Sequence, residues 1–250
     1  MPSPALALSV VIPAYNERER LGATLDRVFD YLSTTGKAFE IVVVDDGSSD
    51  QTHGIATRYA DRGVRALRLS ENCGKGAALR HGVLESEGRQ VLLCDADLST
   101  PIEDIEKLTP FLDEAPIVLG SRAVDGSRIT QRQPFYREAM GKIFNRIVQR
   151  VAVAGIADTQ CGFKLLDGAV ARDLFCRVTT AGFAYDVELV WLARRLGHRV
   201  VEVGVCWHNS PSSRVHPLRD PLRMLSEIAR FRWHHRALGS RRSATTIDTP

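Results

Sequence analysis

With 250 residues, 44% of them hydrophobic and 25% charged, the chain has the composition of an ordinary globular protein with enough apolar mass for a sizeable core. Its net charge of +3 is too small to argue for nucleic acid as a partner. No run approaches the roughly 20 apolar residues of a membrane-spanning helix, and the start, MPSPALALSVVIPAYNE, carries no basic region or cleavage site, which together predict a cytoplasmic protein.

In chain order, the strand pattern LSVVIP precedes a helix over about Arg18 to Thr34, and EIVVVDD precedes one over about Asp50 to Asp61. VRALRLS is followed by a helix over about Gly76 to Ser86, and then come the strands QVLLCDAD and PIVLGSR. Continuous β-branched runs alternating with helices imply an α/β fold with a mostly parallel sheet covered on both faces. Ligands bind such sheets beyond the carboxyl ends of the strands, which directs attention to Pro13 to Glu17, Asp45 to Ser48 and Asp95 to Ser99. Past Arg122 the charge turns basic: Arg122, Arg128, Arg132, Arg137, Lys142, Arg146 and Arg150 stand against Asp125 and Glu138.

A basic amphipathic helix is predicted over Gln131 to Val153, then DTQCGFKLL as a loop and a helix over about Gly168 to Cys176. GFAYDVELVWLARRLG, the strand RVVEVGVCW and a second basic amphipathic helix over about Leu218 to Ala237 follow, and residues 239–250 read as a disordered tail. The odd number and wide spacing of Cys73, Cys94, Cys161, Cys176 and Cys206 suit neither a disulfide framework nor zinc ligation; they read as buried thiols in a reducing compartment.

Several residue groups point to chemistry. Asp95 and Asp97 flank Ala96 at the end of an apolar strand, where two carboxylates either coordinate a hard cation or stand as solvated turn residues. Asp45 and Asp46 follow another buried strand; one of them accepts hydrogen bonds from a base or ribose, or Asp46 or Ser48 simply caps the next helix. Asn16 and Glu17 carry the same ambiguity. Asn72-Cys73-Gly74-Lys75-Gly76 opens a helix and offers backbone donors and a lysine to an anion, although it lacks the spacing of a nucleoside-triphosphate loop. The coupling of arginines to apolar faces in the two late helices suits an anionic membrane surface, with intramolecular packing as the alternative.

Together, VVIPAYNE, VVVDDGSSD, NCGKGAA and DADLS resemble the nucleotide-sugar half of family-two glycosyltransferases with the GT-A fold. GSRAVDGS, the Tyr136-Arg137 helix, DTQCGFKLL, FAYDVELV and VCW followed by PSSRV are similar to dolichyl-phosphate β-glucosyltransferases and bacterial polyprenyl-phosphate relatives. The resemblance implies one GT-A domain over residues 1–238, with a nucleotide-sugar half at about 8–122 and an acceptor half at about 123–238. It implies that Asp46 contacts the nucleotide and that Pro13, Tyr15 and Glu17 shape the base pocket. Lys75, Ala96 and Arg214 join them on the donor side, while Asp95 and Asp97 meet the diphosphate through Mg2+ or Mn2+.

Arg122 and Arg137 are implied to bind a lipid phosphate, and Asp186 and Glu188 are implied as site residues. Ser99 departs from relatives that carry a metal-binding glutamine there, which leaves the third protein ligand open. The expected activity is inverting transfer of a hexose, glucose from UDP-glucose, to a polyprenyl or dolichyl phosphate by a protein held peripherally at the inner membrane face. For a hydroxyl acceptor instead, Asp186 or Glu188 is the candidate base, and their i, i+2 spacing lets at most one point into the site.

Overall fold

Valine- and isoleucine-rich runs with no polar alternation are suited to strands buried on both faces, and they form the middle of the molecule. The structure is a computed structural model that describes residues 6–131, 135–209 and 219–238, with the side chains of 135–139, 142, 219 and 220 outside the description. In chain order the elements are β1 (Leu8–Ala14), α1 (Leu21–Thr34), β2 (Phe39–Asp45), α2 (Thr52–Thr57), β3 (Val64–Arg68), α3 (Lys75–Glu85) and β4 (Gln90–Leu93). They continue with α4 (Ile105–Leu108), β5 (Ile117–Ser121), β6 (Arg128–Gln131), α5 (Phe135–Val151), β7 (Lys164–Asp167), α6 (Gly168–Arg177), α7 (Tyr185–Arg195), β8 (Val200–Gly204), β9 (Cys206–His208) and α8 (Arg219–His234).

Among the described residues, seven strands form one sheet in the order β3-β2-β1-β4-β7-β5-β8. All run in one direction except β7, which lies antiparallel between β4 and β5 and sets Lys164 opposite Leu93 and Leu119. The carboxyl ends of β1, β2, β4, β5 and β8 therefore share one edge with the start of β7. Alternate side chains divide the core. Val11, Val42, Val44, Val91 and Leu93 pack on the face covered by α3, α6 and α7, while Val10, Ile12, Ile41, Val43 and Leu92 pack on the face of α1.

The expected α/β architecture is observed, with several local corrections. DTQCGFKLL is not all loop: its end is β7, a four-residue strand whose Leu165 and Leu166 are fully buried. The helix expected over Asp50 to Asp61 is a short α2 followed by a 3-10 turn at Ala60–Arg62, closed by Gly63 at φ +76°. RVVEVGVCW splits into β8 and β9, and β9 pairs in parallel with β6 as a separate ribbon that sequence patterning missed. Cys94 and Cys161 are buried as expected, but Cys73 and Cys176 are exposed.

The two basic helices pack and also expose apolar surface. Phe144 and Val148 of α5 and Met224, Ile228 and Phe231 of α8 enter the core. Ile143, Leu222 and Trp233 remain 60%, 70% and 67% exposed. Among the described residues, no helix is long and apolar enough to cross a membrane. The proposed tail, residues 239–250, lies outside the described residues.

Candidate active site

Four loops meet at the carboxyl edge of the sheet. The loop after β1 carries half-buried Tyr15, Asn16 and Glu17 just beyond half-buried Pro13, and it is stitched to the loop after β2. The Asn16 amide donates to Ser48 Oγ at 2.8 Å, Asn16 Oδ1 accepts from the Ser49 amide at 2.9 Å, and the Glu17 amide donates to Thr52 Oγ1 at 2.7 Å. Asn16 holds φ +51° and Leu98, in the loop after β4, holds φ +46°. Non-glycine residues take this left-handed region at a cost, and both positions lie at the mouth of the site.

Asp46 does not cap α2. Its carboxylate accepts from the amides of Cys73 at 2.8 Å and Gly74 at 2.9 Å and from Asn72 Nδ2 at 3.1 Å, so it clamps the loop after β2 to the turn that opens α3. Burial lifts its pKa above the usual aspartate value, against the pull of the Cys73 and Gly74 N–H groups. Gly47 is required beside it: φ is +67° and a Cβ would fall 2.4 Å from the Glu71 carbonyl carbon.

From that turn, Lys75 reaches Asp95, with Nζ 2.6 Å from Oδ1. Burial works against the Lys75 ammonium, but Asp95, with Asp186 and Asp97, outweighs it and holds its pKa above the ordinary lysine value. Burial likewise pushes Asp95 up, while Lys75, Lys164 and Arg122 together keep it below the usual carboxylate range. Gly162 closes over this carboxylate so tightly that a Cβ would lie 2.0 Å from Asp95 Oδ2. The Ala96 carbonyl accepts from Thr24 Oγ1 at 2.6 Å, which fixes the turn to α1. Asp97 Oδ1 accepts from the Ser99 amide at 3.0 Å, and Oδ2 lies 3.8 Å from Arg20, which also grips Glu17 through two 2.7 Å hydrogen bonds.

Asp95 and Asp97 thus both sit in the turn after β4, the first paired with Lys75 and the second beside Arg20. Carboxylate oxygens are the donors that Mg2+ and Mn2+ prefer, and the turn places both at one mouth, so the residues fit such an ion. Among the described residues, no cluster of three or more His, Cys, Asp and Glu side chains forms, and Ser99 adds no carboxylate beside these two.

On the other side, Arg122 at the end of β5 donates from Nε and Nη2 to Asp158 at 2.7 and 2.9 Å, and its guanidinium lies 5.3 Å from the centre of the Trp207 ring. Burial opposes both charges, yet the pairing wins: Asp158 is held below the usual carboxylate range and Arg122 above the usual guanidinium value. Asp186 is buried and accepts from Lys164 Nζ at 2.5 Å. Glu188 is fully buried; it accepts from the Thr179 amide and hydroxyl at 3.0 and 2.8 Å, from the Thr180 amide at 2.7 Å, and pairs with His235 Nε2 at 2.8 Å. Arg137 falls in the first turn of α5, where side chains lie outside the description, and Arg214 lies outside the described residues.

Sequence reasoning missed Asp158, Lys164, Trp207 and Arg20. The first two stand inside the DTQCGFKLL motif, and a charged residue beside Phe163, Leu165 and Leu166 is itself the signal of a buried, paired group.

The chain is similar to known proteins over most of its length. The profile described as glycosyl transferase family 2 matches residues 9–175. A dolichyl-phosphate beta-glucosyltransferase of Drosophila melanogaster is 40% identical over 239 residues, covering 89% of this chain and 73% of that protein. Mannosyl-3-phosphoglycerate synthase from Rubrobacter xylanophilus superimposes with a TM-score of 0.64 at 25% identity, over 93% of this chain and 75% of that one. Glucosyl-3-phosphoglycerate synthase from Mycobacterium tuberculosis, solved with Mn2+, UDP and glucosyl-3-phosphoglycerate, shares the fold with a TM-score of 0.60 at 19% identity, over 90% and 78% of the two chains. The GT-A fold expected from the motifs is the fold of these neighbours.

Proposed function

The chain belongs to glycosyl transferase family 2 and is a glycosyltransferase, and from that premise we propose that it transfers glucose from UDP-glucose to dolichyl or a related polyprenyl phosphate, with inversion. The donor's diphosphate is read at the turn of Lys75, Asp95, Ala96 and Asp97, and its base and ribose at the loops of Pro13, Tyr15, Glu17 and Asp46. Asp97 and Asp95 would hold Mg2+ or Mn2+, which would supply positive charge to offset that of the departing diphosphate. Arg122, steadied by Asp158 and Trp207, with Arg137, is assigned to the acceptor phosphate, and Arg214 to the donor side.

The observation that carries the choice of acceptor is the state of Asp186 and Glu188. A hydroxyl acceptor needs a base with a lone pair open to it. Asp186 is buried against Lys164, and Glu188 is enclosed by four donors. A phosphate monoester, with a second pKa of about 6, arrives already ionised and needs no base, so catalysis rests on alignment and charge. Exposed Leu222 and Trp233 among the arginines of α8, and exposed Ile143 on α5, support peripheral attachment to a membrane surface, and the face we propose is the cytoplasmic one.

The test is to incubate the protein with Mn2+ or Mg2+, short-chain polyprenyl phosphate and, separately, UDP-glucose, GDP-mannose and UDP-N-acetylglucosamine, and to read the lipid by mass spectrometry. Glucosylated lipid phosphate from UDP-glucose, lost with EDTA and with Asp97→Asn, is the expected result. Nucleotide binding without lipid product from any donor overturns it.

A further inference from the structure

Lys164 is a charged residue in the wrong place for a structural core. It begins β7 between β4 and β5, its side chain is 0% exposed, and its ammonium donates to Asp186 Oδ1 and to the Cys161 carbonyl, both at 2.5 Å. Burying an ammonium costs several kcal/mol even when it is paired, and a well-packed apolar pair of similar volume often serves a core equally well. What distinguishes this site from an ordinary core slot is its neighbours. Cys161 precedes Gly162, which lies directly over the Asp95 carboxylate. Lys164 and Lys75 each lie 5.9 Å from the centre of the Tyr185 ring, so two lysines and their two aspartates surround one buried phenol. The Lys164 charge also acts on Asp95 and on Asp158, the partner of Arg122.

We propose that Lys164 is a positioning residue of the donor site: its ammonium ties the 158–163 loop to the start of α7, holding Gly162 against Asp95 and balancing the carboxylates gathered there. It touches neither donor nor acceptor and acts through Asp95 and through the loop that carries Asp158. The inference rests on reading the Asp95-Ala96-Asp97 turn as the diphosphate site. Its test therefore uses nucleotide and metal binding without lipid, and failure to glucosylate a lipid does not touch the result.

Lys164→Met alone leaves Asp186 buried and unpaired, so the informative protein is Lys164→Met with Asp186→Leu; Lys164→Gln with Asp186→Asn is the second version should the first not fold. Thermal unfolding reports the fold, and calorimetric titration with UDP and with GDP in the presence of Mn2+ reports the site. Glu40→Gln is the control, because Glu40 is a buried carboxylate bonded to Ser9, Glu87 and Arg65 near the start of β2, at the opposite end of the sheet. We expect the folded double variant to lose roughly 10- to 100-fold in affinity for the nucleotide that the parent binds, the range found when groups supporting metal ligands are removed, while Glu40→Gln loses stability but keeps its affinity. A folded double variant with the parent's affinity overturns the proposal. So does an equal loss of affinity in Glu40→Gln, which makes affinity a mere reflection of stability.

Discussion

Replacing Gly162 by alanine should disable the site with little change in composition. The Gly162 backbone has no positive φ, so alanine suits it and the effect is steric alone. An added Cβ would lie 2.0 Å from Asp95 Oδ2 and 2.4 Å from Cγ, where real contacts stay beyond 3.0 Å, so the carboxylate must retreat by about 1 Å. Asp95 cannot retreat alone, because its other oxygen is held 2.6 Å from Lys75 Nζ. A displacement of about 1 Å in a group that positions reactants costs roughly 100-fold in turnover, and the overpacking itself costs about 1–3 kcal/mol of stability. Steady-state transfer from UDP-glucose to a short polyprenyl phosphate, with a thermal melt of the same sample, measures both. Gly141→Ala is the control, since nothing lies within 4 Å of its added Cβ and alanine favours helix. Turnover of Gly162→Ala within a factor of about three of the parent would refute the claim that Gly162 is glycine because of Asp95.

Glu188→Gln should lower stability by about 1–3 kcal/mol, because an amide cannot accept from all four donors that the carboxylate serves, while the folded fraction keeps most of its turnover; loss of turnover in fully folded protein would restore Glu188 as a base. Asp158→Asn should cost about 3 kcal/mol near neutral pH by breaking a buried pair. Asp158 has a folded pKa below its unfolded value, so its contribution is present above the unfolded pKa of about 4 and fades as pH falls through the folded one. The gap in melting temperature between parent and variant should accordingly shrink on acidification, and a gap that stays constant to low pH contradicts the pairing. Leu222→Ser and Trp233→Ser should each weaken co-sedimentation with anionic vesicles by roughly tenfold, the worth of one large apolar side chain, without shifting the melt; unchanged sedimentation removes α8 from the membrane contact.

How much of this was legible beforehand depended on range. The β1, β2 and β4 runs were readable because a strand buried on both faces must be apolar at every position, and the loops that follow them had to carry the chemistry once the sheet was parallel. β7 was not, because Lys164–Asp167 is only four residues and its strand character comes from the slot between β4 and β5. The same limit hid the partners of the site residues. Asp46 was visible as a carboxylate after a strand, but its three donors sit at Asn72, Cys73 and Gly74, at least 26 residues away. Arg122 was visible as a cation, whereas Asp158, which fixes its fork, lies 36 residues on.

That distinction bears on how the two halves of the site differ. The atoms that grip Asp46 are mostly backbone amides of the turn that opens α3, so almost any residue would serve at 73, and the demand falls on Gly74, whose φ of +106° and 2.5 Å approach to the Ala181 carbonyl leave no room for a side chain. Around Arg122 and Lys164, by contrast, the grip comes chiefly from the side chains of Asp158 and Asp186, and each pair constrains two positions at once. A change at one member strands a buried charge on the other, whereas a change at Cys73 leaves its amide in place. The half built on these ion pairs is therefore the more exacting in side-chain identity, and single substitutions there should cost more than substitutions of equal size in the loops that hold Asp46.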